Sequence, residues 1–283
     1  MTTTTPADEP TRARYWADLT TRDFAQLNPA TTVAVLPVAA TEQHGPHLPL
    51  SVDTALVDGV IAAALPQLRQ AGPDAQEASV LVLPTQAVGL SPEHMAFAGT
   101  LSLSPATLIA LWTEIGTCVA RAGVKKLVLF NAHGGQVSAM DIVARELRLH
   151  HGLIVYSSSW YGLPLGDEVN GLFSADEHRF GVHAGEIETS MMLALRPHDV
   201  RMDAADAFPS TSRHRAAHFP ILGNGKSARL GWAMQDYNPQ GAAGNAAAAT
   251  ADKGRALVDA AARQLALMLL EVARLPLDTA RDL

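Results

Sequence analysis

Residues 41–53 read Thr-Glu-Gln-His-Gly-Pro-His-Leu-Pro-Leu-Ser-Val-Asp, so Glu42, His44, His47 and Asp53 crowd into one stretch broken by Gly45, Pro46 and Pro49. Imidazole and carboxylate without thiolate are borderline-to-hard donors. They suit Zn, Mn or Fe in a catalytic site that keeps one coordination position open for water. Asp53 has two oxygens and could bridge two cations, the arrangement that separates hydroxide generation from carbonyl polarisation. Each residue alone has a plainer reading: Glu42 as an exposed loop carboxylate, His44 or His47 as a hydrogen-bonded structural histidine. Their clustering favours metal binding. For His47 the spacing leaves three roles open: ligand, support behind a ligand, or packing.

Three further groups carry chemistry. His133 sits between an apolar run and Gly134-Gly135, where a side chain can reach into a cleft and the backbone can approach a ligand closely. The same glycines would also suit a tight strand-to-helix turn or an anion-binding nest. In Ser91-Pro92-Glu93-His94, His94 is a candidate substrate contact, as are Gly134 and Gly135. In His183-Ala184-Gly185-Glu186-Ile187-Glu188-Thr189-Ser190, helical spacing puts His183, Glu186 and Ser190 on one face, beside an apolar stripe of Ile187, Met191, Ala194 and Leu195. Glu188 points away from Glu186 on that geometry and reads equally well as a cap or an internal ion pair. Trp160 and Tyr161 could wall a pocket or simply pack, and the remaining histidines read as solvated.

These residues need a scaffold that brings them together. Short aliphatic runs at 32–38, 80–84, 127–131 and 153–157 alternate with helical periodicity at about 54–69, 105–122 and 137–150, the pattern of a parallel sheet covered by helices. Ser104-Pro105 predicts a capped helix start and Gly123 its end. Apolar stretches at 187–195 and 246–270 read as two more helices. Polar residues follow three of the four strand candidates at once, and in open parallel sheets ligands bind beyond the carboxyl ends of the strands. Between Pro197 and Asn245 the periodicity fails, which predicts a long irregular excursion carrying a short hairpin or a lid.

Composition narrows the class. The chain has 283 residues, 48% hydrophobic and 17% charged, with a formal net charge of −7. That balance excludes a nucleic-acid partner, which needs clustered basic surface, and no stretch has the length and apolarity of a membrane span. Residues 1–14 lack the apolar core of a signal peptide and read as a flexible arm before one domain spanning 15–275; the expected compartment is the cytoplasm. The single cysteine, Cys118, reads as a buried helix position, and Lys125-Lys126 as a solvated turn before a strand.

Taken together, the Glu42 to Pro49 run with Asp53, Glu93-His94 to Gly99-Thr100, Asn131 to Gly135, and His183 to Ser190 resemble the creatininase family, in the family's order and over about residues 15–270. The resemblance implies a three-layer α/β/α fold with a mostly parallel central sheet and two divalent metal ions per chain (Zn, Mn or Fe). It also implies a homo-oligomer, typically a hexamer, acting on a small-molecule amide. Carried over, Glu42 and His133 would bind one metal and His44 the other, with Asp53 between them. Glu186 would be the remaining carboxylate ligand, and His183 a proton shuttle. Creatinine-cleaving members carry Glu where this chain has Gly135, which argues against creatinine itself, and Ala132 and Gln136 replace the Gly and Asn of most other members. The expected reaction is cleavage of a C–N bond in a small cyclic amide (lactam) or related amide, through a metal-bridging hydroxide, with His183 protonating the leaving nitrogen. The alternatives are a deformylase or peptidase acting on a modified peptide, or a catalytically silent metal-binding subunit.

Overall fold

The computed structural model of the chain describes residues 13–70 and 78–281. Its strands and helices, in chain order, are β1 (Ala13–Tyr15), α1 (Thr21–Phe24), β2 (Thr32–Val38), α2 (Val52–Gln70), β3 (Ser79–Val82), α3 (Pro105–Arg121), β4 (Lys126–Asn131), α4 (Val137–His151), β5 (Ile154–Ser159), α5 (Asp167–Asn170), α6 (Ala175–Phe180), α7 (Glu186–Leu195), β6 (Ala207–Phe208), α8 (Ser212–His218), β7 (Gly244–Asn245) and α9 (Ala251–Arg274). Of the expected N-terminal arm, residues 1–12 lie outside the described residues, and Ala13 and Arg14 instead belong to β1.

β2 is apolar throughout, apart from Thr32, and every residue in it is buried, as a strand covered on both faces requires. It lies at the centre of a parallel sheet ordered β1-β3-β2-β4-β5. Alternate side chains go to opposite faces. Val33, Val35, Val128 and Phe130 pack with α2, α7 and α9, whereas Ala34, Leu36, Leu127 and Leu129 pack with α3 and α4. The result is the three-layer α/β/α arrangement expected from the sequence. No helix among the described residues is long and apolar enough to cross a membrane.

Local signals set the helix ends. The Ser104 hydroxyl accepts from the Thr107 N–H ahead of Pro105, and Gly123 takes the left-handed turn after α3 at φ +87°. The last helix starts later than its alanine run suggests: residues 246–248 form one 3-10 turn, and Thr250 caps α9 by accepting from the Lys253 N–H. The irregular excursion is mostly coil and turn, punctuated by short 3-10 turns and α8. It contributes β6 and β7, which form a short antiparallel pair far apart in sequence.

Two sequence readings are overturned. Cys118 is exposed, because Leu108, Trp112, Gly116 and Val119 form the inward face of α3 and position 118 lies off it. Lys126 is not in a solvated turn. It is the first residue of β4, fully buried, and its ammonium donates to the carbonyls of Ala30 (2.5 Å) and Ala273 (2.6 Å). It thereby satisfies one carbonyl at the end of α9, that of Ala273, which the helix leaves open.

Candidate metal centre and cleft

The polar groups converge where β2, β4 and β5 end. Asp53 lies in the first turn of α2, and Glu186 and Glu188 lie in the first turn of α7, where a helix favours negative charge. Glu42, Asp53 and His133 offer ligand atoms within 4.8 Å of one another, and so do His44, Asp53 and Glu188. These two triads share Asp53; Glu42 also groups within the same reach with His44 and His183, and with Glu93 and His94. One Asp53 oxygen is 3.4 Å from His44 Nε2 and the other 3.5 Å from His133 Nδ1. Glu42 Oε1 is surrounded by His133 Nδ1 at 3.2 Å, His94 Nε2 at 3.5 Å and His183 Nδ1 at 3.8 Å.

Outward hydrogen bonds fix the rings. His44 Nδ1 donates to the Glu42 carbonyl (3.0 Å), His133 Nε2 to the Leu90 carbonyl (2.9 Å) and His183 Nε2 to the Gln43 carbonyl (2.6 Å). Each therefore turns its other nitrogen inward, as metal-binding histidines do. Asn131 braces the His133 turn by accepting from the His133 N–H and donating to the His133 carbonyl. Glu42 Oε2, His44 Nε2 and Asp53 Oδ2 are buried without a hydrogen-bonding partner in the protein, a cost of about 1–3 kcal/mol for each such atom. Orphaned oxygens and nitrogens of this kind, converging on a shared aspartate, fit divalent cations.

Charge follows the same division. Burial works against the ionised form of Glu42, but His133 beside it holds the carboxyl well below the usual carboxylate range. Burial also opposes charge on His44 and His133. Nonetheless Asp53 pushes His44 up to about 9, and Glu42 pushes His133 up to about 10. Asp53 is raised to about 6 by burial and by Glu42. Burial leaves His183 and His94 neutral, lowered to about 3 and about 2. The two imidazoles that hold protons are the two shared with Asp53, so their positive charge occupies the place a cation would take.

The structure separates the two glutamates of α7 differently from the sequence reading. Glu186 pairs with Lys253 of α9 and lies outside both triads, whereas Glu188 faces His44 and Asp53. The reason is local. Ala184 takes φ +53° and Gly185 is the N-cap, so His183 is not on the helix and the face it was assigned with Glu186 does not exist. Glu188 Oε2 accepts from the Ala184 N–H at 2.6 Å and holds that turn.

The other sequence candidates fall as follows. His94, Gly134, Gly135, Trp160 and Tyr161 line a cleft of about 660 Å³ that opens to solvent above the triads. A side chain at Gly135 would bring its Cβ within 1.9 Å of Glu93 Oε1, so the glycine is required for Glu93 to pack beside His133. His47 is set back, bonded through Nε2 to Thr189 Oγ1 at 2.9 Å and stacked on Phe208. Its position matches support or packing.

Several cleft residues escaped the sequence reading. Arg229 and Trp232 reach the cleft from the irregular excursion; a tryptophan between Gly231 and Ala233, in a segment without periodicity, was the available signal. Glu177 follows Ser174 at capping-box spacing, and Ser174 does accept from the Glu177 N–H. Its carboxylate, however, accepts from the N–H groups of Glu186 and Asn245, capping α7 from a distance.

The family described as Creatininase: Creatinine amidohydrolase matches residues 17–269. A protein called mycofactocin precursor peptide peptidase from Mycobacterium tuberculosis is 34% identical over 252 residues, 86% of this chain and 88% of that protein. A creatinine amidohydrolase of Pseudomonas putida is 29% identical over 221 residues, 73% of this chain and 81% of that protein. A solved structure named Creatininase Mn superposes with a TM-score of 0.71 at 26% identity, covering 91% of this chain and 97% of its own. The chain belongs to the creatininase family of metal-dependent amidohydrolases.

Proposed function

We propose that this chain hydrolyses the C–N bond of an amide carried near the end of a peptide-like substrate. The observation that carries the reading is the cleft. At about 660 Å³ it falls in the range that encloses a drug-sized ligand. Its walls mix apolar surface (Trp160, Leu165, Val182, Trp232) with one guanidinium, Arg229. The 34% identical relative is named as a peptidase acting on a precursor peptide, which supports the same direction. A small cyclic amide is the second reading, favoured by the P. putida relative.

Glu42, Asp53 and His133 would hold one divalent cation, and His44, Asp53 and Glu188 a second, with Zn, Mn or Fe the metals the donors suit. Bound there, such cations lower the pKa of water and polarise a carbonyl. Asp53, shared by both triads, would contribute to holding each cation. His183, with its Nε2–H given to the Gln43 carbonyl, has a free Nδ1 lone pair that takes a proton from water and delivers it to the leaving nitrogen. Trp160 and Trp232 give the cleft apolar walls.

The test is elemental analysis of protein purified without chelator, paired with hydrolysis of lactams, formamides and short peptides before and after metal removal. About two cations per chain with metal-dependent cleavage of peptide amides is the expected result. Cleavage of lactams alone would move the assignment to the second reading. No cation after reconstitution would overturn both.

A further inference from the structure

Of the four imidazoles at the centre, three donate outward to backbone carbonyls and turn their other nitrogen toward the site. His94 is reversed. Its Nδ1 lies 2.7 Å from Gln43 Nε2, and the Gln43 amide cannot turn round, because its Oε1 accepts from the Gly45 N–H at 3.0 Å. The amide therefore donates to His94 Nδ1, which must be the unprotonated nitrogen, and the single ring proton of neutral His94 sits on Nε2. That nitrogen faces Glu42 Oε1 at 3.5 Å and the floor of the cleft. Gln43 and His94 are both buried, so water has little access to break the arrangement. The ring is further confined by His183, 4.4 Å away centroid to centroid, and by the edge of Trp232 at 6.0 Å.

We propose that Gln43 locks His94 as the donor imidazole of the site, so that its inward Nε2–H holds the carbonyl oxygen of the scissile amide and does not ligate a cation. This rests on the hydrolase reading and adds to it a donor aimed where charge develops. A donor fixed before the reaction needs no reorganisation as the carbonyl becomes tetrahedral, and removing one such donor costs about 100- to 1,000-fold in kcat. Gln43 acts through His94 and is a positioning residue. His183 then carries the proton, and His94 holds the carbonyl oxygen.

The test is a long-range 1H–15N correlation spectrum of the ¹⁵N-labelled full chain, with the His94 signals assigned by their loss in His94→Phe. The expected pattern is a protonated Nε2 and an unprotonated Nδ1. Gln43→Glu, which places an acceptor opposite Nδ1, should reverse it. Cation content of His94→Phe should equal that of the parent, while kcat falls about 100- to 1,000-fold and KM changes less than about tenfold. A protonated Nδ1 in the parent, or loss of a cation in His94→Phe, overturns the proposal. Tautomer and cation count are read without turnover. A reversed tautomer in an active chain therefore overturns this proposal alone, whereas a chain inert to every amide overturns the hydrolase reading and with it the role at the carbonyl oxygen.

Discussion

Glu186 and Glu188 lie two residues apart on α7 and should fail in opposite ways. Glu186 is 5% exposed at its side chain and pairs with Lys253, 27% exposed. Glu186→Ala removes a charge-assisted bond and leaves a mostly buried ammonium with the Ala248 carbonyl at 3.4 Å and the Phe173 ring at 5.6 Å, a loss of about 2 kcal/mol. At about 2–4 °C per kcal/mol for a chain approaching this size, Tm should fall by roughly 4–8 °C. Cation affinity should stay within about threefold, because Glu186 contributes to neither triad. Glu188→Gln keeps an oxygen for the Ala184 N–H but deletes a negative charge beside His44 and Asp53. Weakening a supporting partner of a ligand already costs about 10- to 100-fold in affinity, so losing the carboxylate itself should cost at least about 100-fold, with little change in the Tm of the metal-free protein. Thermal melts of metal-free protein and titration against a chelating indicator separate the two effects. If Glu186→Ala weakens cation binding as much as Glu188→Gln does, the assignment of these two carboxylates is wrong.

With His44 raised to about 9 and His133 to about 10, both rings hold protons at pH 7, and a cation can take only an unprotonated nitrogen. Binding therefore releases two protons, and apparent affinity should rise by about 100-fold per pH unit between pH 7 and 8; calorimetry in buffers of different ionisation enthalpy counts the protons, and pH-independent binding would refute the charge assignment. Gly254 meets α7 so closely that an added Cβ would lie 1.8 Å from the Ser190 carbonyl oxygen. Gly254→Ala must push α7 and α9 apart, costing about 1–3 kcal/mol and weakening cation binding as Glu188 moves; an unchanged Tm would contradict the packing. Glu177→Gln replaces one of two acceptors facing the N–H groups of Glu186 and Asn245, a loss of about 1–3 kcal/mol that should appear as faster hydrogen exchange at those two amides than in the parent.

Much of the frame could be read because its causes are local. Thr32–Val38 announces a strand buried on both faces, and Ser104-Pro105 with Gly123 brackets α3, since capping and left-handed turns act over a few residues. The convergence of Glu42, Asp53 and His133 followed from parallel strands that all end on one side. What stayed hidden depends on partners distant in sequence. Lys126 finds its carbonyls at Ala30 and Ala273, and nothing near position 126 foretells either. Glu177 carries a capping signal for its own helix, yet its carboxylate caps another. Glu186 was given the ligand role by the family resemblance, and helical spacing extended back through His183, across the left-handed turn at Ala184, turned Glu188 away from it. β1 escaped notice because it is a three-residue edge strand, Ala-Arg-Tyr, with no apolar run to mark it.

The two faces of the sheet close at different times as the chain is made. α3 and α4 lie between the strands they cover, so that face can form once β5 has emerged. The opposite face, with Val33, Val35, Val128 and Phe130, waits for α9, about 115 residues after Ser159. At about 5–20 residues per second, that half of the core stays wet for roughly 6–23 s, the interval in which a nascent chain is most exposed to misassociation and to chaperones. α9 also packs directly on α7, with Gly254 against the Ser190 backbone. Glu188 is therefore brought into place only when α9 docks, and metal acquisition becomes a late step in the life of the molecule, after the polypeptide has been folded around the site.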